Sequence, residues 1–241
     1  MPLDLDSAAE RENPRADGHL DVFRAIPPEY RAAVLEQCIR RVLRKRQTVW
    51  TQGENAEYVA FIVSGAAMSL YQAPNGRIGT TGFWCAGDIL GAGDIGLRTT
   101  RLMTVRCLDT CVIYTLSYAR FQHLLRRFPE LADTLIRALS LRLRWVSQLA
   151  VMLETQSGVE RICAALLALA DRFGRSEEQG TLIDLRLTNE DLAAISGLSR
   201  QFVNVTLSKL RKDGYLQMRK RSMIVDRKAL ADAAGVNGML G

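Results

Sequence analysis

The stretch TNEDLAAISGLSRQFVNVTLSKLRK, residues 188–212, decides how the rest of the chain is read. Thr188, followed three positions later by Asp191, has the form of a capping box, in which a hydroxyl and a carboxylate each satisfy an orphan amide at a helix start. A short apolar helix, LAAIS, follows and stops at Gly197, and Ser199 is placed to cap a second helix from Arg200. Two helices joined by a three- to four-residue turn containing glycine make a helix-turn-helix. On the second helix Val203, Leu207 and Leu210 share an inward face, while Arg200, Gln201, Asn204 and Ser208 fall together on the other side. Arginine can read guanine through two acceptors, and glutamine and asparagine can read adenine. A recognition helix offers such residues to the major groove. An ordinary solvated helix side would look equally polar, so the flanking sequence has to decide.

It does so in favour of nucleic acid. After Gly214, YLQMRKRSMIVD (215–226) reads as two strands around a basic tip at Arg219, Lys220 and Arg221, which completes a winged helix-turn-helix. Between Arg200 and Lys228 nine Lys and Arg face two Asp, a local excess of seven positive charges against +6 for all 241 residues. Charge so concentrated is the footprint of phosphate contacts. The candidate DNA-binding residues are Arg200, Gln201, Asn204, Val205, Ser208, Lys209, Arg211, Lys220 and Arg221. The basic run RRVLRKR at 40–46 reads as a solvated strand face, with a second nucleic-acid contact as the alternative.

Outside this region the composition is that of an ordinary folded protein, 48% hydrophobic and 24% charged. No apolar run approaches the ~20 residues that cross a bilayer, and the polar N-terminus lacks a signal-peptide pattern, so a cytoplasmic location without membrane partners is expected. No H-E-x-x-H, P-loop or G-x-S-x-G occurs, so the sequence offers no catalytic cluster and an enzyme is not expected. The five cysteines, Cys38, Cys85, Cys107, Cys111 and Cys163, contain no C-x-x-C and read as buried small hydrophobes. Cys107 and Cys111, four apart, are expected on one strand face.

Upstream, the texture changes twice. From Arg41 to Leu116, short runs such as TVW (48–50), YVAFIVSG (58–65), AAMSLYQ (66–72) and CVIYTL (111–116) are divided by turn residues. Gly53, Gly65, Gly76 and Gly87 recur at steps of 12, 11 and 11, and Asn75-Gly76 is a strong hairpin signal. This pattern predicts an antiparallel barrel or jelly roll. Before it, the stretch from Val22 to Ile39, with PPEYRAAVLEQCI at 27–39, predicts one or two short helices. After it, PELADTLIRALSLRLRWVSQLAVMLE (129–154) is one long helix. Leu135, Leu139, Val146, Leu149 and Leu153 take the seam positions of a two-stranded coiled coil, with Arg142 in the gap. A helix packed on its own barrel is the other reading. VERICAALLALADRFG (159–174) is a further helix capped by Gly174, and RSEEQG (175–180) reads as a solvated loop. The fold class is therefore α+β: a flexible segment at 1–20, a jelly-roll-like sensor at 21–128, a dimerisation helix at 129–156 and a winged helix-turn-helix at 157–241.

At this point the chain resembles the Crp/Fnr transcription regulators, from about Ile26 to Leu230. QGE (52–54), FIVSG (61–65), GDILG (87–91), TVRC (104–107) and LTNEDLAAISGLSRQFVNVTLSKLRKDG (187–214) carry the resemblance. It implies a cytoplasmic homodimer on double-stranded DNA with a twofold-symmetric operator, and it leans towards activation by contact with RNA polymerase. It further implies a small-molecule effector site in the sensor. Family members that bind cyclic nucleotides carry a Glu after GD-x-x-G, an Arg for the cyclic phosphate and a hydroxyl residue after it. Here those positions hold Ala92, Arg101 and Leu102. With Arg142 they are the candidate effector-pocket residues. A ribose hydroxyl against Ala92 would lack its partner, so cyclic AMP is not the expected effector, with Asp94 as an alternative substitute for the Glu. Cys38 alone precedes residue 85, so an iron–sulfur centre is not expected. His19, Cys85 and His123 form no convincing haem-ligand pattern, and no cofactor is expected. In the recognition helix Gln201 and Val205 replace the family's usual Glu and second Arg, which implies an operator different from the usual family palindrome.

Overall fold

The computed structural model describes residues 21–95, 97, 99–185, 187–219 and 222–235, in two compact units that divide near residue 151. The first unit begins with a short 3₁₀ turn, Phe23–Ala25, and helix α1, Pro28–Glu36. Eight strands follow: β1 Ile39–Leu43, β2 Thr48–Trp50, β3 Tyr58–Ser64, β4 Ala66–Gln72, β5 Ile78–Cys85, β6 Ile89–Leu90, β7 Thr104–Cys107 and β8 Cys111–Ser117. They form two antiparallel four-stranded sheets, β1-β8-β3-β6 and β2-β7-β4-β5. Helices α2, Tyr118–Arg127, and α3, Pro129–Thr155, complete the unit.

Strand β3 shows why its sequence does not alternate. Ala60 and Ile62 point between the sheets, into a core with Val49, Trp50, Leu90, Val105 and Ile113. Val59 and Phe61 point the other way, into a second core with Ile26, Val34, Phe121, Leu124 and Leu131. Both faces are covered, so a continuous apolar run is needed. Phe61 packs edge-on between Phe23 and Phe121, with ring centroids at 5.5 and 5.8 Å. The four periodic glycines all take positive φ. At Gly65, φ +89°, a Cβ would also overlap the Thr110 carbonyl oxygen, so the β3–β4 corner excludes a side chain on two counts.

Helix α3 packs one face on the roll and leaves another exposed. Leu131 and Leu135 are buried in the second core. Further along the same stripe, Arg142 Nη2 and Trp145 Nε1 both donate to the Thr81 carbonyl, at 2.9 and 3.2 Å, and the Arg142 guanidinium lies 4.2 Å from the Trp84 ring centroid. Ile136, Leu139, Leu143, Val146 and Leu153 are exposed. The heptad seam is thus split: Leu135 and Arg142 face the roll, while Leu139, Val146 and Leu153 face outward.

The second unit begins with α4, Gly158–Phe173, capped by a Ser157/Glu160 box. It continues through β9 Gly174–Glu177, β10 Gly180–Ile183, α5 Asn189–Ser196, α6 Arg200–Lys212, β11 Leu216–Arg219, β12 Ser222–Val225 and α7 Arg227–Ala233. The strands make one antiparallel sheet, β11-β12-β10-β9. Its core is Ile162, Cys163, Leu166, Leu169, Ile183, Leu192, Val203 and Leu210.

Two local expectations need correction, and one gains a reason. Gly174 caps α4 as expected, with φ −78°, and glycine is required there by crowding: a Cβ would meet Ala170 O and Thr181 Cγ2. RSEEQG is a hairpin, with Arg175–Glu177 in edge strand β9, whose exposed side chains give it the composition of a loop. Cys107 and Cys111 do not share a strand face, because Leu108–Thr110 turns the chain from β7 in one sheet to β8 in the other. Among the described residues no helix is long and apolar enough to cross a membrane.

Candidate nucleic-acid interface

The helix-turn-helix is assembled by the polar residues its sequence offers. Thr188 Oγ1 accepts from Asp191 N at 3.1 Å, and Asp191 Oδ2 accepts from Thr188 N at 2.8 Å, closing the capping box. Gly197 ends α5 at φ +67° and ψ 25°, the left-handed conformation that turns the chain into the next helix. Ser199 Oγ accepts from Phe202 N at 3.2 Å and starts α6. Val203, Thr206 and Leu210 are buried beneath it, and Leu207 is half-buried at the edge of that face.

The opposite face of α6 is open. Arg200, Gln201, Asn204, Val205, Ser208, Lys209 and Arg211 are all exposed. Asn204, Val205, Ser208, Lys209 and Lys212 line one shallow groove. Val205 is 67% exposed, an apolar side chain in water on an otherwise polar face. Arg200 stands in the first turn, which carries no acidic residue. A cation there opposes the helix dipole by ~0.3–1 kcal/mol, so its placement costs stability. Arg219 pairs with Glu177 at 2.7 Å, and Arg227 pairs with Asp171. Among the described residues Arg200, Lys209, Arg211, Lys212 and Lys228 enter no ion pair, so their charge is unspent. Lys220 and Arg221, expected at the wing tip, lie outside the described residues.

Two residues of this face were not singled out from the sequence. Lys212 follows Ser208 by four positions and so extends the same stripe, a signal that was present. Asn189, in the first turn of α5, donates its side-chain amide to Asn204 Oδ1. Fifteen residues separate the two, and no local pattern announces the contact.

In the first unit the four candidate effector-pocket residues do not converge. Ala92 is buried in a 3₁₀ turn, Ala92–Asp94, Leu102 is 62% exposed, and Arg142 is engaged with Thr81 and Trp84. Arg101 is 2% exposed and turned inward. Its guanidinium stacks 3.7 Å from the Trp50 ring centroid, and its Nη1 donates to Asp94 Oδ2 and to the Tyr118 hydroxyl, both at 2.8 Å. Nη2 donates to the Tyr58 carbonyl, while Nε is buried without a partner. Tyr118 passes the bond on to the Gly91 carbonyl at 2.9 Å, and burial pushes its phenol above the usual value. Among the described residues no three His, Cys, Asp or Glu are placed to share a metal. Cys85 is buried at the end of β5, His123 is exposed on α2, and His19 lies outside the described residues.

A jelly roll, a long helix and a winged helix-turn-helix with an open basic face define a two-part DNA-binding regulator. Residues 40–128 match the cyclic nucleotide-binding domain and residues 160–233 the Crp-like helix-turn-helix domain. The chain belongs to the Crp/Fnr family of transcription regulators. It is 26% identical over 217 residues to the "CRP-like cAMP-activated global transcriptional regulator" of Mycobacterium tuberculosis, covering 88% of this chain and 96% of that one. It is 23% identical over 197 residues to the "Fumarate and nitrate reduction regulatory protein" of Escherichia coli K12, covering 81% and 78%. Among solved structures it is similar to the c-di-GMP responsive global regulator CLP of Xanthomonas campestris, with TM-score 0.70, 25% identity and coverage of 83% and 99%.

Proposed function

We propose that the protein is a homodimeric, sequence-specific regulator that binds a twofold-symmetric operator through α6 and the β11–β12 wing. Arg200, Gln201, Asn204, Val205 and Ser208 face base edges. Lys209, Arg211 and Lys212, with Lys220 and Arg221 at the wing tip, contact phosphates. The observation that carries this reading is the open face of α6, with Arg200 held at an unfavourable helix end and cations that enter no ion pair. Such a face costs stability in the free protein and is repaid by a polyanion. Exposed Val205 offers an apolar surface to a thymine methyl, and Gln201 stands where the family's usual carboxylate would accept from cytosine. The operator therefore differs from the usual family palindrome. Dimerisation uses the outward stripe Leu139, Val146 and Leu153 of α3. Cytoplasmic activation by contact with RNA polymerase follows from the family resemblance.

Cyclic AMP is not the effector in this reading. A cyclic phosphate needs a free arginine, and Arg101 already has Asp94, Tyr118, the Tyr58 carbonyl and the face of Trp50. A cyclic-AMP-dependent regulator is the second reading, favoured by the similarity to the cAMP-activated regulator of Mycobacterium tuberculosis. One experiment addresses both. Purified protein without added ligand is offered random duplex DNA at near-physiological salt and the bound pool is sequenced. Enrichment of a palindrome with half-sites about one helical turn apart is expected. Enrichment only with cyclic AMP would replace the first reading with the second, and enrichment under neither condition would contradict both.

A further inference from the structure

An asparagine on a recognition helix reads adenine with both ends of its amide: the oxygen accepts from N6 and the nitrogen donates to N7. Asn204 does not have both ends free. Its Oδ1 is turned towards Asn189 and accepts from that residue's Nδ2. Asn189 sits in the first turn of α5, held by the Thr188/Asp191 capping box, and it is half-buried while Asn204 is exposed. Asn204 lines the groove with Val205 and Ser208, and planar geometry sets its amide nitrogen roughly 120° from the engaged oxygen, free of that contact.

We propose that Asn189 is a specificity-determining residue, which converts Asn204 from a bidentate adenine reader into a donor-only reader. A donor-only amide favours guanine, which presents two acceptors, O6 and N7, or thymine O4; at adenine it keeps N7 but loses the N6 contact that sets adenine apart. Asn189 thereby selects the base without contacting it. The inference deepens the reading of α6 as a major-groove helix and rests on it.

The test repeats the ligand-free selection with full-length wild type, Asn204→Ala, Asn189→Ala and Asn189→Asp. Asn204→Ala identifies the symmetric operator position that Asn204 reads. At that position the wild type is expected to prefer guanine or thymine. Asn189→Ala frees the oxygen and is expected to raise adenine there on the order of tenfold. Asn189→Asp can only accept, so the Asn204 amide turns to donate inward and its oxygen faces out. Preference should then move to a base with a facing donor, adenine or cytosine. The capping box is untouched in both variants, and retention of the other operator positions shows that each still folds. Unchanged preference at the Asn204 position in both variants, with the motif otherwise intact, overturns the inference alone. A wild type that enriches no motif either without ligand or with cyclic AMP overturns the reading of α6 and the inference with it.

Discussion

Removing the carboxylate of Asp94 should strand a buried cation. The Arg101 side chain is 1% exposed and that of Asp94 25%. Breaking a fully buried pair by deleting one partner costs ~3–5 kcal/mol. The partial exposure of Asp94, together with the acceptors left at Tyr118 and Tyr58, reduces the expected loss in Asp94→Ala to about 2–3 kcal/mol. In a unit of this size each kcal/mol lowers Tm by about 3–5 °C, so a fall of about 6–15 °C is expected. The protein's three tryptophans, Trp50, Trp84 and Trp145, all lie in the first unit, so thermal unfolding followed by tryptophan emission reports on that unit alone. The double variant Asp94→Leu/Arg101→Met should recover most of the loss, since an apolar pair replaces charges that had to be desolvated. Millimolar cyclic AMP should leave the wild-type transition where it is, whereas a ligand at 100 times its Kd would add ~2.7 kcal/mol. A Tm for Asp94→Ala within about 2 °C of wild type would show that the pair does not hold the roll together, and a large cyclic AMP shift would show that Arg101 is free.

Other outcomes follow from single residues. Gly65→Ala should cost ~2–4 kcal/mol, because φ +89° is joined by overlap with Thr110, whereas Gly76→Ala, with φ +79° and open space around it, should cost only ~1 kcal/mol; equal costs would contradict the crowding argument. Val146→Glu should turn a dimer into a monomer in sedimentation, and a persistent dimer would place the interface elsewhere than the outward stripe of α3. Burial pushes the Cys38 thiol up to about 11, so at pH 8 the folded protein should alkylate at this half-exposed residue about 100-fold more slowly than a free cysteine. The rate should climb about tenfold per pH unit up to that value, and ordinary reactivity at pH 8 would refute the shift.

Much of this was legible in the sequence for identifiable reasons. The periodic glycines announced the roll because each turn needs positive φ, and the capping residues announced α5 and α6 because their hydrogen bonds are local. Strand β9 was hidden because an exposed edge strand has the composition of a loop. The faces of α3 could not be separated because a stripe that packs on the roll and one that faces outward both repeat every three to four residues. The inward turn of Arg101 depends on Trp50, Tyr58, Asp94 and Tyr118, which converge from four places in the chain. Asn189 was invisible for the same reason.

The central claim is that the open face of α6 reads sequence, beyond attracting phosphate. The most direct measurement is the affinity of wild type and Arg200→Ala for the selected operator and for a scrambled duplex, from 50 to 200 mM salt. The wild type should favour the operator by at least ~10³, with a steep loss of affinity for both duplexes as salt rises. Arg200→Ala should lose ~1–3 kcal/mol on the operator alone and keep the same salt slope within about one unit. Equal affinity for the two duplexes, or an equal loss on both in the variant, would contradict it.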